Sequence, residues 1–518
     1  MARRSGSSTV APAMRSVSTR LKRRCTRRSR LARAAWGLPV AALGLSALPA
    51  HAGGYFFGTK GARASGRAGA FTARADDFSA VALNPAGLAR MPFTLVHAGN
   101  RLSHNEQRFA RRSTLDWGDP VDGVPPYVEF DTVENSRPWQ ALDPVLGVTS
   151  SLGLRDWGFA FGAYAPAGVA AQDFPEDGGQ RYMMVRRDVQ MLHIAGAAAW
   201  KFKDVFGIGA TAQWVTVPKL EYELVVDANV FVGLANPVAS RLDMLATIRG
   251  RDGFAMTGIV GAWYRPTPRF EIAAAGQVVP YQLKAAARLD VEPLAEGLEH
   301  EVELSRDGEE ANDVTLSMPM PMWGRLGLRY LHRRGRRRHF DIELNLVYEA
   351  TSQVDAFVMD GDGLVGTLAG QELDVGRIEL DKRWRDTFGV QLGGDVLVVP
   401  GWLTLRAGAG YESPSVDPAY MHVDFFGGHQ VFGAVGASVM IGPVELALSY
   451  GYRRQAAVEV SEGRGRVYQE VPGSWCEPPY DDAQSCHPAY LGQPSPVING
   501  GRYQAQTHTA ELDVLYRF

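Results

Sequence analysis

Apolar and polar side chains alternate with a period of two over one stretch after another of this 518-residue chain, and beyond residue 52 no run is apolar enough to cross a bilayer as a helix. Ile208, Ala210, Ala212 and Trp214 alternate with Gly209, Thr211 and Gln213. Phe340, Ile342, Leu344, Leu346 and Tyr348 alternate with Asp341, Glu343, Asn345 and Glu349. Met318, Met320, Met322, Leu326 and Leu328 share a face opposite Ser317, Arg325 and Arg329, and Val444, Leu446, Leu448, Tyr450 and Tyr452 oppose Glu445, Ser449 and Arg453. Such a chain folds as half-greasy strands. Alternation alone does not separate a soluble sandwich, with its apolar face inward, from a transmembrane barrel with that face outward.

Connection lengths favour the barrel. Fourteen strands are expected, at roughly 93–111, 141–154, 157–165, 186–202, 206–218, 253–265, 269–288, 315–332, 339–359, 377–399, 402–413, 427–441, 444–458 and 502–518. Arg155-Asp156, Lys203-Asp204, Pro266-Thr267-Pro268, Gly335-Arg336-Arg337, Pro400-Gly401 and Gly442-Pro443 are tight turns, and longer, more polar segments lie between them. Short turns on one rim and long loops on the other are the asymmetry of outer-membrane barrels. In the last strand Ala510, Leu512, Val514, Tyr516 and Phe518 alternate with Thr509, Glu511, Asp513 and Arg517. A terminal Phe518 on such a strand looks like the tag read by the outer-membrane assembly machinery. The expected fold is all-β, a transmembrane antiparallel barrel of about 14 strands over 93–518.

The first 33 residues hold 11 Lys or Arg and no acid, Ala34 to Leu48 is uncharged and mostly apolar, and Ala50-His51-Ala52 offers small residues to a signal peptidase. Residues 1–52 therefore read as a signal peptide, cut before Gly53, with Met14 as an alternative start. Without it, 43 of the 54 basic residues remain beside 56 acidic ones, a formal net charge of −13, which argues against a nucleic-acid partner. Cys476 and Cys486, in a Pro- and Asp-rich stretch, are expected to form a disulfide in an oxidising compartment. No metal-ligand spacing, nucleophile elbow or phosphate loop is present, so neither a cofactor nor an enzyme is expected.

Between the leader and the first strand, small residues at Gly61, Ala62, Ala64, Ser65, Gly66, Ala68, Gly69 and Ala70 precede Asp76-Asp77 and then Asn84-Pro85-Ala86-Gly87-Leu88. Here the chain resembles the FadL family of outer-membrane long-chain fatty-acid transporters. Trp384-Arg385-Asp386-Thr387, Arg406-Ala407-Gly408 and Tyr411-Glu412-Ser413-Pro414 continue the resemblance. It implies that 53–92 is a hatch inside the barrel, with Asn84, Pro85 and Ala86 as its motif. Pro85 suits the first position of a short helix, Asn84 can cap it, and Gly87 permits the reversal that ends it.

The resemblance also implies passive uptake of long-chain fatty acids or similar hydrophobic compounds, captured among extracellular loops and released sideways beside a kinked third strand. Gly158, Gly162 and Pro166 are what a kink there needs. Leu220 to Ile248 is more apolar than an exposed loop requires, so Val226, Phe231, Leu234 and Leu245 are candidate ligand contacts. Arg181, Lys219 and the pair Arg186-Arg187 are candidates for a carboxylate head group. The expected surroundings are hydrophobic small molecules, outer-membrane lipid and lipopolysaccharide. An aromatic-hydrocarbon channel of the same family, or a surface adhesin or porin-like barrel, are the alternatives.

Overall fold

In a computed structural model the described residues are 60–114, 127–166, 171–227, 243–294, 303–334, 337–368, 371–469 and 497–518. Fourteen strands close on themselves. They are β1 (Leu95–Thr114), β2 (Pro144–Ser150), β3 (Trp157–Tyr164), β4 (Arg186–Phe202), β5 (Phe206–Asp227) and β6 (Asp243–Thr267). Then come β7 (Phe270–Gln277, resuming at Tyr281–Pro293), β8 (Asp313–Met320, resuming at Trp323–Arg334) and β9 (Arg337–Glu349, resuming at Ala356–Asp360). The circuit ends with β10 (Arg377–Asp381, resuming at Thr387–Val399), β11 (Leu403–Glu412), β12 (Gln430–Ile441), β13 (Val444–Gln455, resuming at Val458–Val460) and β14 (Gly501–Arg517). Each pairs antiparallel with its neighbour, and β14 pairs with β1 from Leu95↔Arg517 to Arg111↔Gly501. Closure leaves no edge strand, as a sheet in lipid requires.

Burial runs opposite to that of a soluble protein. On β13, Leu446, Leu448 and Tyr450 are 39 %, 56 % and 49 % exposed, whereas Glu445 and Ser449 are buried. Ile208, Leu346, Leu405 and Leu512 likewise face out, and Gln213, Asn345, Arg406 and Asp513 face in. An outward belt of this kind is stable only against hydrocarbon. Leu448→Lys, between Leu446 and Tyr450, is accordingly expected to cost about 2–4 kcal/mol in lipid vesicles. Ser449→Ala on the opposite face should stay within about 1 kcal/mol, and urea titration of the two reconstituted variants checks the contrast.

Two expectations change. Strands five and six were expected to stop at 218 and start at 253, with an apolar loop between them, yet the ladder continues outward to Asp227↔Asp243. The inward face turns apolar there as the alternation slips near Lys219, where the ladder is irregular, and again after Tyr222: Leu220, Tyr222 and Val225 are buried, and Glu221 bonds Arg249 across the pair. Lys219, Val226 and Leu245 therefore lie on strands rather than on a loop, while Phe231 and Leu234 lie outside the described residues.

The second change concerns β8, where Met318, Met320, Leu326 and Leu328 were expected on one face. The strand breaks at Pro321-Met322 and the faces swap. Met318 and Met320 point inward, and below the break Arg325 and Arg329 are buried while Leu326 is exposed. Proline removes a ladder donor and permits the break.

Residues Lys60–Met91 form short helical turns, including a 3-10 helix at Pro85–Arg90, and nearly all are buried against inward-facing side chains of the strands. Residues 1–52 and the Cys476–Cys486 pair lie outside the described residues.

Candidate functional site

Inward-facing residues change character with height in the lumen, in three layers; on β3 to β6 the lowest level is small or apolar (Gly158, Ala199, Trp263), and its charges come mostly from β7 to β14. The lowest, nearest the short turns, is charged and meets residues 60–91. That segment carries Lys60, Arg63, Arg67, Arg74 and Arg90 against Asp76 and Asp77, and the strands facing it supply mostly acids. Arg67 reaches Asp341 at 2.5 Å, Asp395 at 2.8 Å and Glu343 at 3.3 Å. Arg74 pairs with Asp395, and Glu343 accepts the Ala73 N–H at 2.7 Å. Lys60 pairs with Asp143 on the approach to β2, and the Gly61 and Ala62 N–H groups donate to Glu511 (2.8 Å) and Asp513 (2.6 Å) on β14. Arg90 meets Glu271 at 3.3 Å and lies 4.1 Å over the Trp263 ring. Every buried charge in this layer has a partner, the condition under which buried ions are tolerated.

The Asn84, Pro85 and Ala86 motif sits at the wall of β5 and β6. Asn84 Oδ1 accepts the Ala86 N–H at 3.2 Å, its Nδ2 donates to the Thr72 and Ala262 carbonyls, and the Ala86 carbonyl accepts Trp263 Nε1 at 2.9 Å. Pro85 opens the helix as expected. Gly87, expected to end it, lies inside it; a Cβ there would stand 2.0 Å from the Ala75 carbonyl, so the residue serves close packing rather than reversal.

The glycines of β3 have the same explanation. The β3 ladder is continuous against β4 from Trp157 to Tyr164 and against β2 from Phe159 to Tyr164. A Cβ on Gly158 would lie 2.2 Å from the Leu88 carbonyl, and one on Gly162 would lie 2.6 Å from the Phe78 ring. They admit the N-terminal segment to the wall rather than kinking the strand. Pro166 follows the strand end, and residues 167–170 lie outside the described residues.

The middle layer is polar and uncrowded. Gln213, Thr257, Gln277, Arg325 and Gln391 point inward from β5, β6, β7, β8 and β10. A cavity of about 250 Å3 opens on the β1 and β12–β14 side of the lumen, lined by Ser65 and Ala68, by Arg101, Asp143, Gln430 and Arg453, and by Arg187, Asp424 and Phe425.

The upper layer is apolar. Leu283, Leu289, Leu316, Met318, Phe357 and Met359 point inward from β7, β8 and β9, and the connections fold over them with Met183, Met184, Met421, Trp384 and Phe426. Outside, Gln282, Lys284, Arg288 and Thr315 are exposed, so the polarity of the two faces is the reverse of that in the belt below. Strands that project past the bilayer meet water outside and can keep grease within. Val226 and Leu245 pack against this cluster.

Two cations sit at the cluster's floor. Lys382, fully buried, bonds Asp424 at 2.6 Å and lies 4.9 Å from the Phe357 ring centre. Burial brings its ammonium below its ordinary pKa despite the Asp424 carboxylate beside it. Arg187 stacks 4.3 Å over Phe425. The expected head-group residues divide. Arg181 is held by Asp243 (3.0 Å) and Tyr182, and Lys219 faces outward between Asp188 and Glu221, whereas Arg187 does reach the lumen. Nothing in the sequence singled out Lys382 or Asp424, because a single Lys among the charges at 381–383 carries no period and no motif.

A closed barrel with a lipid-facing belt, a charged and polar lumen, and short turns on one rim defines an outer-membrane β-barrel. The particular family follows from the sequence: the chain matches "Outer membrane protein transport protein (OMPP1/FadL/TodX)" over residues 43–465 and belongs to it. It is a transporter of hydrophobic compounds in the outer membrane, not an enzyme. Among solved structures it is similar to a Pseudomonas aeruginosa FadL homologue, with TM-score 0.67 and 14 % identity over 90 % of this chain and 99 % of that one. It is also similar to the monoaromatic hydrocarbon channel CymD (TM-score 0.55, 13 % identity, 88 % of this chain and 96 % of that one). The Ralstonia pickettii toluene transporter TbuX gives TM-score 0.55 and 13 % identity over 90 % of this chain and all of that one. No curated protein matches the chain in sequence.

Proposed function

We propose that this protein takes long-chain fatty acids across the outer membrane, with residues 53–92 acting as a hatch. The observation that supports the reading is the placement of Arg187 in the lining of the polar cavity, beside Phe425 at the edge of the apolar cluster, with Lys382 behind it, held by the cavity-lining Asp424 and lying against Phe357 of that cluster. An amphiphile with a long tail and a carboxylate fits that boundary, tail above and head at the cations. A hydrocarbon without a head group has no use for buried cations, whose desolvation costs stability.

The polar layer and the hatch beneath oppose straight descent of an apolar chain, so release goes sideways through the wall near the end of β3. The same reading includes a leader cut before Gly53, a Cys476–Cys486 bridge, lipopolysaccharide around the outer half and recognition of Phe518 during assembly.

A double variant, Lys382→Met with Arg187→Met, is expected to weaken oleate binding by roughly tenfold or more, the value of a charge-assisted hydrogen bond or two. Tryptophan quenching by oleate and uptake of labelled oleate by expressing cells would measure it. Seven buried methionines in the apolar cluster, among them Met183, Met318, Met320 and Met421, favour a second reading, since methionine adapts to aromatic guests. Toluene uptake with no oleate uptake would select it, and no uptake of either would select a structural barrel or adhesin.

A further inference from the structure

The lipid-facing wall from β3 to β7 carries a groove that the transport reading does not use. Its floor is made of small side chains, Ala198, Ala210 and Ala274, and Trp157, Trp200 and Val260 stand at the sides of this broad, open depression of about 690 Å3. These residues lie one to six positions from the short turns, which places the groove within about 20 Å of the periplasmic rim at roughly 3.3 Å per residue. It therefore occupies the half of the belt that faces the inner leaflet.

The rim below it is basic. Arg155, Lys201, Lys203, Arg265 and Arg269 stand on three consecutive turns against Asp156 and Asp204. Lys201 bonds Asp204 at 2.9 Å and Arg265 bonds the inward Glu271, while Arg155, Lys203 and Arg269 are exposed. The next turn in sequence, 332–339, adds five arginines. On the far side of the barrel the turns Val399-Pro400-Gly401-Trp402 and Ile441-Gly442-Pro443-Val444 carry no charge. Positive charge on this rim is thus gathered on the turns from β2–β3 round to β8–β9, three of which lie beneath the groove.

We propose that this groove and rim bind an anionic phospholipid of the inner leaflet, such as phosphatidylglycerol. The acyl chains lie over Ala198, Ala210 and Ala274, where the missing side chains bring hydrocarbon close to the strands and gain dispersion contacts. The phosphate lies by Lys203 and Arg269, whose field favours an anionic head group over a zwitterionic one.

The test uses the whole protein in nanodiscs of equal phosphatidylcholine and phosphatidylglycerol, released into native mass spectrometry. Retained lipid is expected to be enriched in phosphatidylglycerol about fivefold or more. Lys203→Ser with Arg269→Ser should return the ratio to that of the bilayer. Ala210→Phe with Ala274→Phe should lower the number of lipids retained, with heat-modifiable gel migration showing that the barrel still forms. No enrichment in the wild type, enrichment that survives both double variants, or retention of added oleate in place of phosphatidylglycerol overturns the proposal.

Discussion

Deleting residues 53–90 is expected to raise ion conductance across a planar bilayer by on the order of tenfold or more, because a barrel of fourteen strands is wide enough to leak unless its lumen is occupied. The described part of that segment accounts for the occupancy at the lowest level. Phe71, Phe78, Leu83 and Leu88 are fully buried, five basic residues meet acids of β7, β9, β10 and β13 and the approach to β2, and the Gly61 and Ala62 N–H groups donate to Glu511 and Asp513 of β14. The strands bond to one another rather than through the segment, from β1 round to the β14–β1 seam, so the truncated barrel should still assemble. Heat-modifiable migration confirms assembly, and single-channel recording with uptake of a large hydrophilic antibiotic reads the opening. A truncated, assembled barrel that conducts no better than the full chain would end the hatch reading, whatever the substrate proves to be.

Asp395→Ala should loosen the same segment without removing it. One carboxylate on β10 serves Arg67 at 2.8 Å, Arg74, and Arg406 at 3.4 Å, and all four side chains are buried. Removing it leaves Arg67, Arg74 and Arg406 to share Asp341, Glu343, Asp76 and Glu445, so the cost should fall below the roughly 3–5 kcal/mol of a buried charge left without any partner. Asp341 and Glu343 still hold Arg67, so the loss is borne by docking of the segment rather than by the barrel. A cysteine introduced as Ala70→Cys, buried in the intact protein, reports it: labelling by a membrane-impermeant maleimide should accelerate at least tenfold in the Asp395→Ala background. Equal labelling in both backgrounds would mean that the cluster is dispensable for docking. Urea unfolding of the barrel itself should move little by comparison.

The barrel was legible because lipid imposes a local rule. A strand wetted by hydrocarbon on one side alternates at every second residue, and the tight turns at 155–156, 203–204, 400–401 and 442–443 interrupt that alternation where the chain must reverse. Fourteen strands could be counted from such local signals. The misreadings came where the environment changes along a single strand. Leu220 to Ile248 looked like a greasy loop because the alternation slips at irregular rungs where the strand leaves the bilayer and the face that meets water is exchanged, and period alone does not say where the bilayer ends. The swap at Pro321-Met322 of β8 was hidden for the same reason.

The site was less legible still, since its parts are far apart in the chain. Asn84, Pro85 and Ala86 were recognisable as a motif, but the reasons for Gly158 and Gly162 appear only when Leu88 and Phe78 are seen pressed against them. Lys382 and Asp424 are separated by 42 positions, and Arg67 meets acids 274 and 328 residues away. Side-chain alternation and turn chemistry act between neighbours, so the sequence alone determined a closed lipid-facing barrel and its count of strands. Which charges meet within the lumen, and at which height grease replaces them, depends on strand register and on the path of the N-terminal segment. Those are long-range contacts, and only the tertiary structure decided them.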